Sequence, residues 1–282
     1  MSNREAILEA ARRVEVFSAS ALSVVGAIQD PEYPIDDICS SIEKDPVLAA
    51  GIISVSNSSM FSPAEPILSV RDAVSRLGAR SLMSAVLASM GPSLPETIEG
   101  YQLQGGALWD HAVAMSLATR ELAEALDFAD PESAATAALV SDVGKIVLDP
   151  FIVSSETSVN DYSYENGVSY DEAERAVFGI DHAEVGADLL ERWGLPEPIV
   201  QATRWHHDPD QCPEEHRGIA ELVHLAESIC TIAGIGLGAD GMQYRTSKSA
   251  ASHLKFDNAV AEQVLSRVIA SVADFEQSTS EE

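Results

Sequence analysis

The chain has 282 residues, 46% of them hydrophobic, which is enough to bury a globular core, and it carries 45 acidic against 17 basic residues, a net charge of −28. This acidity disfavours binding to nucleic acids and to anionic membranes, because their phosphates would be repelled. The sequence contains neither an apolar stretch long enough for a membrane span nor a secretory signal, so we expect a cytoplasmic protein. Its three cysteines are too widely spaced for a disulfide framework, so we expect free thiols.

Apolar residues recur at helical spacing in the first hundred positions. Asp45 followed by Pro46 is typical of a helix start, as is the serine at Ser69, and Gly78 is suited to close the helix that Ser69 opens. We therefore predict helices over residues 5–28, 35–42, 46–57, 70–77 and 80–90, with a loop over 59–66.

The second half continues the helical pattern, and Asp130 and Asp181 are predicted as further capping residues. We predict helices over 107–126, 131–148, 170–178, 182–193, 197–207, 214–234 and 258–275, a surface loop over 154–169, a flexible glycine-rich break over 234–241 and a disordered acidic tail over 276–282. No segment shows a convincing alternation of polar and apolar residues of the kind expected for a β-strand, so the predicted fold class is all-α. The apolar face of the last helix is suited to pack on its own domain or on a second copy.

Histidines and an aspartate lie on several different predicted helices, namely His111, Asp142, His182, His206 and His207. Such side chains from antiparallel helices can converge on a metal ion in the core of a bundle. They can also be explained without a metal. A buried histidine can bond to an aspartate, and histidines at a helix C-terminus are stabilised by the helix dipole.

One motif carries a resemblance to a known family. The run Ala138-Leu139-Val140-Ser141-Asp142-Val143-Gly144-Lys145 resembles the signature of HD-domain phosphohydrolases, in which His-Asp precedes a hydrophobic residue, glycine and lysine. In that family, a divalent metal ion that activates water is bound by a first histidine, the His-Asp pair and a later aspartate. Variants with extra histidines bind two metal ions. The resemblance implies candidate metal ligands at His111, Asp142, His182, His206 or His207, and Glu227, the last in place of the final Asp.

The departure from this signature is at Ser141, which stands where the family has its central histidine. A serine hydroxyl is a poor ligand for a transition metal compared with imidazole. The candidate ligands are therefore interpreted as the remains of a metal site, and we expect no catalytic residue and no cofactor. The sequence leaves open whether a divalent metal is bound.

Motifs on both sides of this signature resemble the HDOD family over about residues 12–230. They are Ile42 to Leu48, Val55 to Ser58, Ser69 to Gly78, Leu108 to His111, Gly179 to Ala187, Trp193 to Pro196 and His206 to Pro209. The resemblance implies a two-lobed HDOD architecture over 12–235, with an N-terminal lobe over about 12–100 and a degenerate HD-like helical bundle over about 105–235. A C-terminal helical extension and acidic tail would occupy 236–282.

The HDOD resemblance implies a non-catalytic module of bacterial signal transduction that acts by binding a signalling protein, or a small ligand in the groove between its lobes. The alternative is a metal-dependent phosphohydrolase with an altered HD site. The partner and the oligomeric state, including a homo-oligomer, are left open by the sequence.

Overall fold

The computed structural model describes residues 2–14, 18–30, 33–58, 60–61, 65–89, 91 and 94–280. Within these ranges the structure is helical, with one isolated β-bridge between Ile98 and Leu103, which confirms the predicted all-α class. The α-helices are α1 (Asn3–Ala11), α2 (Ala19–Ile28), α3 (Ile35–Glu43), α4 (Pro46–Asn57), α5 (Val70–Ala88), α6 (Ala107–Ala125), α7 (Pro131–Val140), α8 (Lys145–Ser154), α9 (Val159–Asn166), α10 (Tyr170–Phe178), α11 (His182–Arg192), α12 (Glu197–Trp205), α13 (Glu214–Ala233), α14 (Lys248–His253) and α15 (Asn258–Ser280). Short 3₁₀ turns lie at Glu99–Tyr101, Pro209–Gln211 and Asp240–Gln243.

The predicted capping residues begin the helices as expected. The side chains of Asp45, Ser69, Asp130 and Asp181 each accept a hydrogen bond from a backbone N–H in the first turn of the helix that follows. Gly78 has a φ of +70° and divides α5 into two helical parts, which fits the prediction that it closes one helix before another begins.

The molecule has the two predicted lobes. Helices α2 to α5 pack against one another in the N-terminal lobe, and α6, α7, α12 and α13 form the bundle of the second. The lobes meet where α5 packs on α7, and the hydroxyls of Ser84 and Thr136 lie 2.5 Å apart there. Because both hydroxyls are buried, their mutual hydrogen bond removes the cost of leaving them unpaired.

Three predicted elements are corrected by the structure. The helix predicted over 5–28 is two helices, α1 and α2, and residues 15–17 of the predicted span lie outside the described residues. The helix predicted over 131–148 breaks at residues 141–144, so Asp142 lies in a turn between α7 and α8. The surface loop predicted over 154–169 contains α9.

The C-terminal region also differs from its prediction. Helix α14 was not anticipated, and α15 continues to Ser280 where a disordered tail was predicted from 276, while residues 281–282 lie outside the described part. Helix α15 packs on α6 and α13, burying Val264 and Val268, and Arg267 pairs with Glu121 at 3.0 Å. The apolar face of α15 therefore packs on its own domain. No helix in the described part of the chain combines the length and apolarity that a bilayer span requires.

Candidate functional site

The structure brings all the predicted candidate ligands into one buried cluster. His111 comes from α6, Asp142 from the turn after α7, His182 from the first residue of α11, and Glu227 from α13. His206 and His207 both join the cluster from the end of α12, whereas the sequence predicted that one or the other would be a ligand. No cysteine belongs to the groups of possible metal ligands found in the described residues.

Asp142 lies at the centre of the cluster and faces two groups of side chains. Its Oδ2 is 3.5 Å from His111 Nε2, which is itself 3.3 Å from Glu227 Oε2. Its Oδ1 is 3.5 Å from His182 Nε2 and 3.9 Å from His206 Nε2. We call the first group, His111, Asp142 Oδ2 and Glu227, the carboxylate half. We call the second, His182, His206, His207 and Asp142 Oδ1, the histidine half.

The backbone around Gly144 explains how Asp142 reaches the start of α11. A Cβ atom at Gly144 would lie 1.9 Å from the carbonyl oxygen of His182 and 2.6 Å from the nitrogen of Gly186. A real Cβ atom could not lie at these distances, so the two backbones can approach one another only because residue 144 has no side chain. Glycine in the signature thus holds the Asp142 turn directly against the helix that carries His182.

Ser141, which replaces the signature histidine, is buried and directs its hydroxyl into its own helix. The hydroxyl donates a hydrogen bond to the carbonyl oxygen of Ala138 at 2.9 Å. This local bond is typical of serine in helices. The hydroxyl of Ser141 is therefore already engaged in a hydrogen bond to α7.

Three of the imidazole rings are oriented by acceptors behind them. His111 Nδ1 lies 3.1 Å from the carbonyl oxygen of Ile235, and His206 Nδ1 lies 2.7 Å from that of Thr203. His182 Nδ1 lies 2.8 Å from Glu174 Oε2. Carbonyl and carboxylate oxygens only accept, so each Nδ1 carries a proton and each Nε2 is turned towards Asp142.

This orientation leaves acceptor atoms facing one another. In the described part of the chain, both carboxylate oxygens of Asp142 and the Nε2 atom of His206 are buried without a hydrogen-bond partner. Buried acceptors that converge in this way need a cation or a proton donor between them.

Lys145 supplies a positive charge to the carboxylate half. Its Nζ lies 2.9 Å from Asp142 Oδ2 and 2.5 Å from Asp240 Oδ2, and it lies over the ring of Tyr101 at 5.5 Å from the centroid. The contact with Asp142 is an ion pair without the alignment of a hydrogen bond. Burial opposes the ammonium form, but Asp142 and Asp240 outweigh it and raise the pKa of Lys145 above its ordinary value.

The histidines differ in their protonation. Burial disfavours the charged ring of His111, but Glu227 outweighs this effect and raises its pKa to about 9. For His182 burial acts in the same direction, and Glu174 raises the pKa to about 9. Burial lowers the pKa of His206, and burial together with the neighbouring histidines lowers that of His207 well below the ordinary value. A proton and a metal ion therefore compete for the same lone pairs in this cluster.

Residues 234–247, which we call the C-terminal strap, close one side of the cluster. Asp240 binds Lys145 and the carbonyl of Ile235 accepts from His111, while the backbone N–H of Ser247 donates to His224 Nε2 at 2.8 Å. A Cβ at Gly236 would lie 2.5 Å from that of His111. The break predicted over 234–241 is present after α13, and its glycines permit close packing, while its flexibility stays a prediction.

His207 forms the outward-facing side of the cluster. It lines two cavities of about 180 and 330 Å³, both also bordered by Arg175 and Asp208. On the side facing the N-terminal lobe, the cavity that Asp142 borders has a volume of only about 40 Å³. A separate cavity of about 300 Å³ lies in the predicted groove between the lobes, bordered by Arg80 and Met83 among others.

The residues present fit a divalent transition metal. Imidazole with carboxylate is a donor set that suits manganese, iron or zinc. The orphaned atoms Asp142 Oδ1 and His206 Nε2 lie in the histidine half, where no lysine contact was found among the described residues. Two participants, Glu174 and Asp240, were missed by sequence reasoning. Glu174 lies eight positions before His182 without a motif, and Asp240 is 95 residues from Lys145.

Comparison with known families gives the class of the protein. The HDOD domain model matches residues 15–209, so the chain belongs to the HDOD family. A curated relative, an uncharacterized protein of Treponema pallidum (strain Nichols), is 26% identical over 206 residues. The match covers 73% of this chain but only 40% of that protein.

Solved structures share the fold. An HDOD domain protein of unknown function from Geobacter sulfurreducens is 25% identical with a TM-score of 0.66, covering 98% of this chain and 96% of that one. A protein of Marinobacter aquaeolei VT8, named for signal transduction, is 22% identical with a TM-score of 0.70, covering 98% and 64%. One of Shewanella amazonensis SB2B, named as a phosphohydrolase, is 20% identical with a TM-score of 0.61, covering 93% and 98%.

Proposed function

We propose that this protein is a non-catalytic regulatory module of bacterial signal transduction that acts by binding a protein partner. The observation that carries the proposal is the state of the HD-like cluster. Ser141 stands where the related enzymes have a metal-binding histidine, and its hydroxyl bonds within its own helix, so the cluster lacks that ligand.

The accessibility of the cluster supports this proposal. Asp142 is 4% exposed, and the adjoining cavity of about 40 Å³ has room for about one water molecule. The C-terminal strap covers the side of Lys145 and His111. A phosphoester substrate needs a site of roughly 300 Å³ or more that reaches the reactive atoms.

The fold neighbours are consistent with a signalling role. The Marinobacter protein carries a signal-transduction name, and the Geobacter protein is an HDOD protein of unknown function. The partner would be a protein, because the net charge of −28 disfavours nucleic acid and anionic lipid. The cavity between the lobes is the proposed place for a small ligand, if one is used.

The proposal is tested by phosphoester hydrolysis. The full chain is loaded separately with Mn²⁺, Fe²⁺ and Zn²⁺ and assayed with bis(p-nitrophenyl) phosphate and with nucleotides. Asp142→Ala is the test variant, and Glu165→Gln, which alters an exposed carboxylate on α9 outside the cluster, is the matched control. We expect equal background rates in all three proteins. Turnover that Asp142→Ala abolishes and Glu165→Gln retains would overturn the proposal.

A metal-dependent phosphohydrolase is the second candidate function, and one observation favours it. The Nε2 atoms of the histidine half converge beside His207, which borders cavities of about 180 and 330 Å³. An ion there would supply an activated water. The hydrolysis assay above decides between the two candidates.

A further inference from the structure

We propose that the protein forms a two-fold symmetric dimer through α15 and the end of α13, with Ile269 of each copy seated at an apolar groove of the other. The inference concerns the side of α15 that remains exposed after Val264 and Val268 are buried against the molecule's own core. It goes beyond the proposed function and does not depend on whether the HD-like cluster has activity.

The first observation is an exposed apolar patch. Ile232, near the end of α13, is 69% exposed, and Ile269 on α15 is 52% exposed. Ile232 and Leu265 border the same groove, and Ile269 follows Leu265 by about one helical turn, so the three side chains form one patch. Neighbouring exposed aliphatic side chains mark a site of association, whereas a single exposed one does not.

The second observation is the groove beside this patch. It has a volume of about 140 Å³, lies between the end of α13 and the first half of α15, and is bordered by Ile229, Ile232, Asn258, Ala261, Glu262 and Leu265. Ile269 protrudes from the same helix one turn further on. An antiparallel pairing of α15 with its copy, about an axis between residues 265 and 269, therefore places each Ile269 at the groove of the partner copy. The surface is self-complementary, as a two-fold interface requires.

The third observation is the absence of charge, which favours a second copy over a basic partner protein. The chain has a net charge of −28, so two copies repel one another over most of their surfaces. Residues 228–239 contain no charged side chain, and within residues 263–273 only Arg267 is charged. Arg267 is compensated inside the copy, where it lies 3.0 Å from Glu121. Two copies can thus meet here with Glu262 as the one charged residue that borders the groove.

The same charges give the dimer a characteristic dependence on salt. Apolar contact holds the copies together, while the remaining carboxylates push them apart. The screening length falls from about 10 Å at 0.1 M salt to about 3 Å at 1 M, so added salt weakens the repulsion. The dimer should therefore become tighter as salt is raised, whereas an interface made of ion pairs would become weaker.

Sedimentation velocity of the full, untagged chain tests the proposal. Each protein is measured from about 2 to 200 μM, a range that covers micromolar dissociation constants, in about 0.1 M and about 1 M NaCl. The test variants Ile269→Glu and Ile269→Lys place opposite charges at the contact. The matched control is Val47→Glu, which alters another β-branched residue, 80% exposed, on α4 of the N-terminal lobe. Circular dichroism is recorded for every variant.

We expect a monomer–dimer equilibrium with a Kd on the order of 10 μM, lower in the higher salt, because the patch is small for a stable interface. Both Ile269 variants should raise the Kd by roughly tenfold or more, since a charge of either sign would be buried at the contact. Val47→Glu should bind as wild type does. Because Ile269 is exposed in the single copy, both test variants are expected to fold.

Four results would overturn the proposal. They are a wild-type monomer throughout the concentration range at both salt concentrations, an oligomer larger than a dimer, a dimer that both folded Ile269 variants retain, and a dimer that Ile269→Lys tightens. The last result would mean that net charge governs association. Because the readout is the mass of the particle, its outcome is separate from that of the hydrolysis assay.

Discussion

Lys145 and Asp142 form a buried ion pair three residues apart, with Nζ 2.9 Å from Oδ2 and neither side chain more than 5% exposed. The pair places a fixed positive charge on one oxygen of the carboxylate that faces both halves of the cluster. A buried charge is tolerated only when it is paired, and here Asp240 completes the pairing. The two halves of the cluster therefore differ in charge before any ligand arrives.

Substitution of Gly144 tests the backbone contact that positions Asp142. In Gly144→Ala the new Cβ would lie 1.9 Å from the His182 carbonyl oxygen, so the turn and α11 must separate. We expect a loss of about 3 kcal/mol in the free energy of unfolding by urea. The matched control is Gly26→Ala, exposed in α2 with nothing within 4 Å of its Cβ, which should stabilise by up to about 1 kcal/mol. If Gly144→Ala were as stable as Gly26→Ala, the close contact between Gly144 and the His182 backbone would be wrong.

Substitution of Glu174 tests the support behind His182. In Glu174→Gln, one of the two carboxylate oxygens becomes an amide, so the hydrogen bonds from His182 and from Tyr101 cannot all be kept. We expect the affinity for Co²⁺ to fall by about 10- to 100-fold, measured by titration. Tyr101→Phe, which removes only the tyrosine hydroxyl contact, is the control and should bind cobalt nearly as wild type does. An unchanged affinity in folded Glu174→Gln would count against a metal on His182.

Substitution of Asp240 tests whether the C-terminal strap is held on the cluster. Asp240→Asn removes the charge that lies 2.5 Å from Lys145, so we expect a loss of about 2 kcal/mol in unfolding free energy. We also expect faster amide hydrogen exchange over residues 235–247, with exchange in α7 little changed. The control is Glu165→Gln, an exposed substitution. Exchange in the strap that is already fast in the wild type would contradict its packing.

The three cysteines are expected to react slowly in the native protein. Cys39, Cys212 and Cys230 are at most 2% exposed, and burial raises the pKa of Cys212 to about 11. A raised pKa means less reactive thiolate at pH 8, since the thiolate form is lost below the pKa. With a chromogenic disulfide reagent at pH 8, we expect slow reaction in buffer and three rapid equivalents in urea. Rapid reaction of all three in buffer would show that the cores around them open.

The helices were predictable where a local signal marks their ends. Asp45 and Ser69 begin helices as predicted, and Gly78 interrupts one, because each acts through hydrogen bonds or dihedral angles within a few residues. The break at Ser141 was not predictable in this way. The turn there lies against the backbone of His182, and this contact is between residues distant in sequence.

The cluster was predictable to the extent that a family motif marks it. His111, Asp142, His182, His206, His207 and Glu227 were named from the resemblance and do meet in space. Its counter-charges were not named, because Asp240 lies in a glycine-rich stretch that looks flexible by composition, and only the fold brings it to Lys145. Periodicity indicates which face of a helix is buried, but it does not indicate which carboxylate a buried lysine will meet.

The most direct test of the proposed non-catalytic role is the rate of phosphoester hydrolysis by the full chain loaded with Mn²⁺, measured beside Asp142→Ala and Glu165→Gln. We predict the same background rate in all three proteins. Turnover that Asp142→Ala abolishes and Glu165→Gln retains would contradict the proposed function.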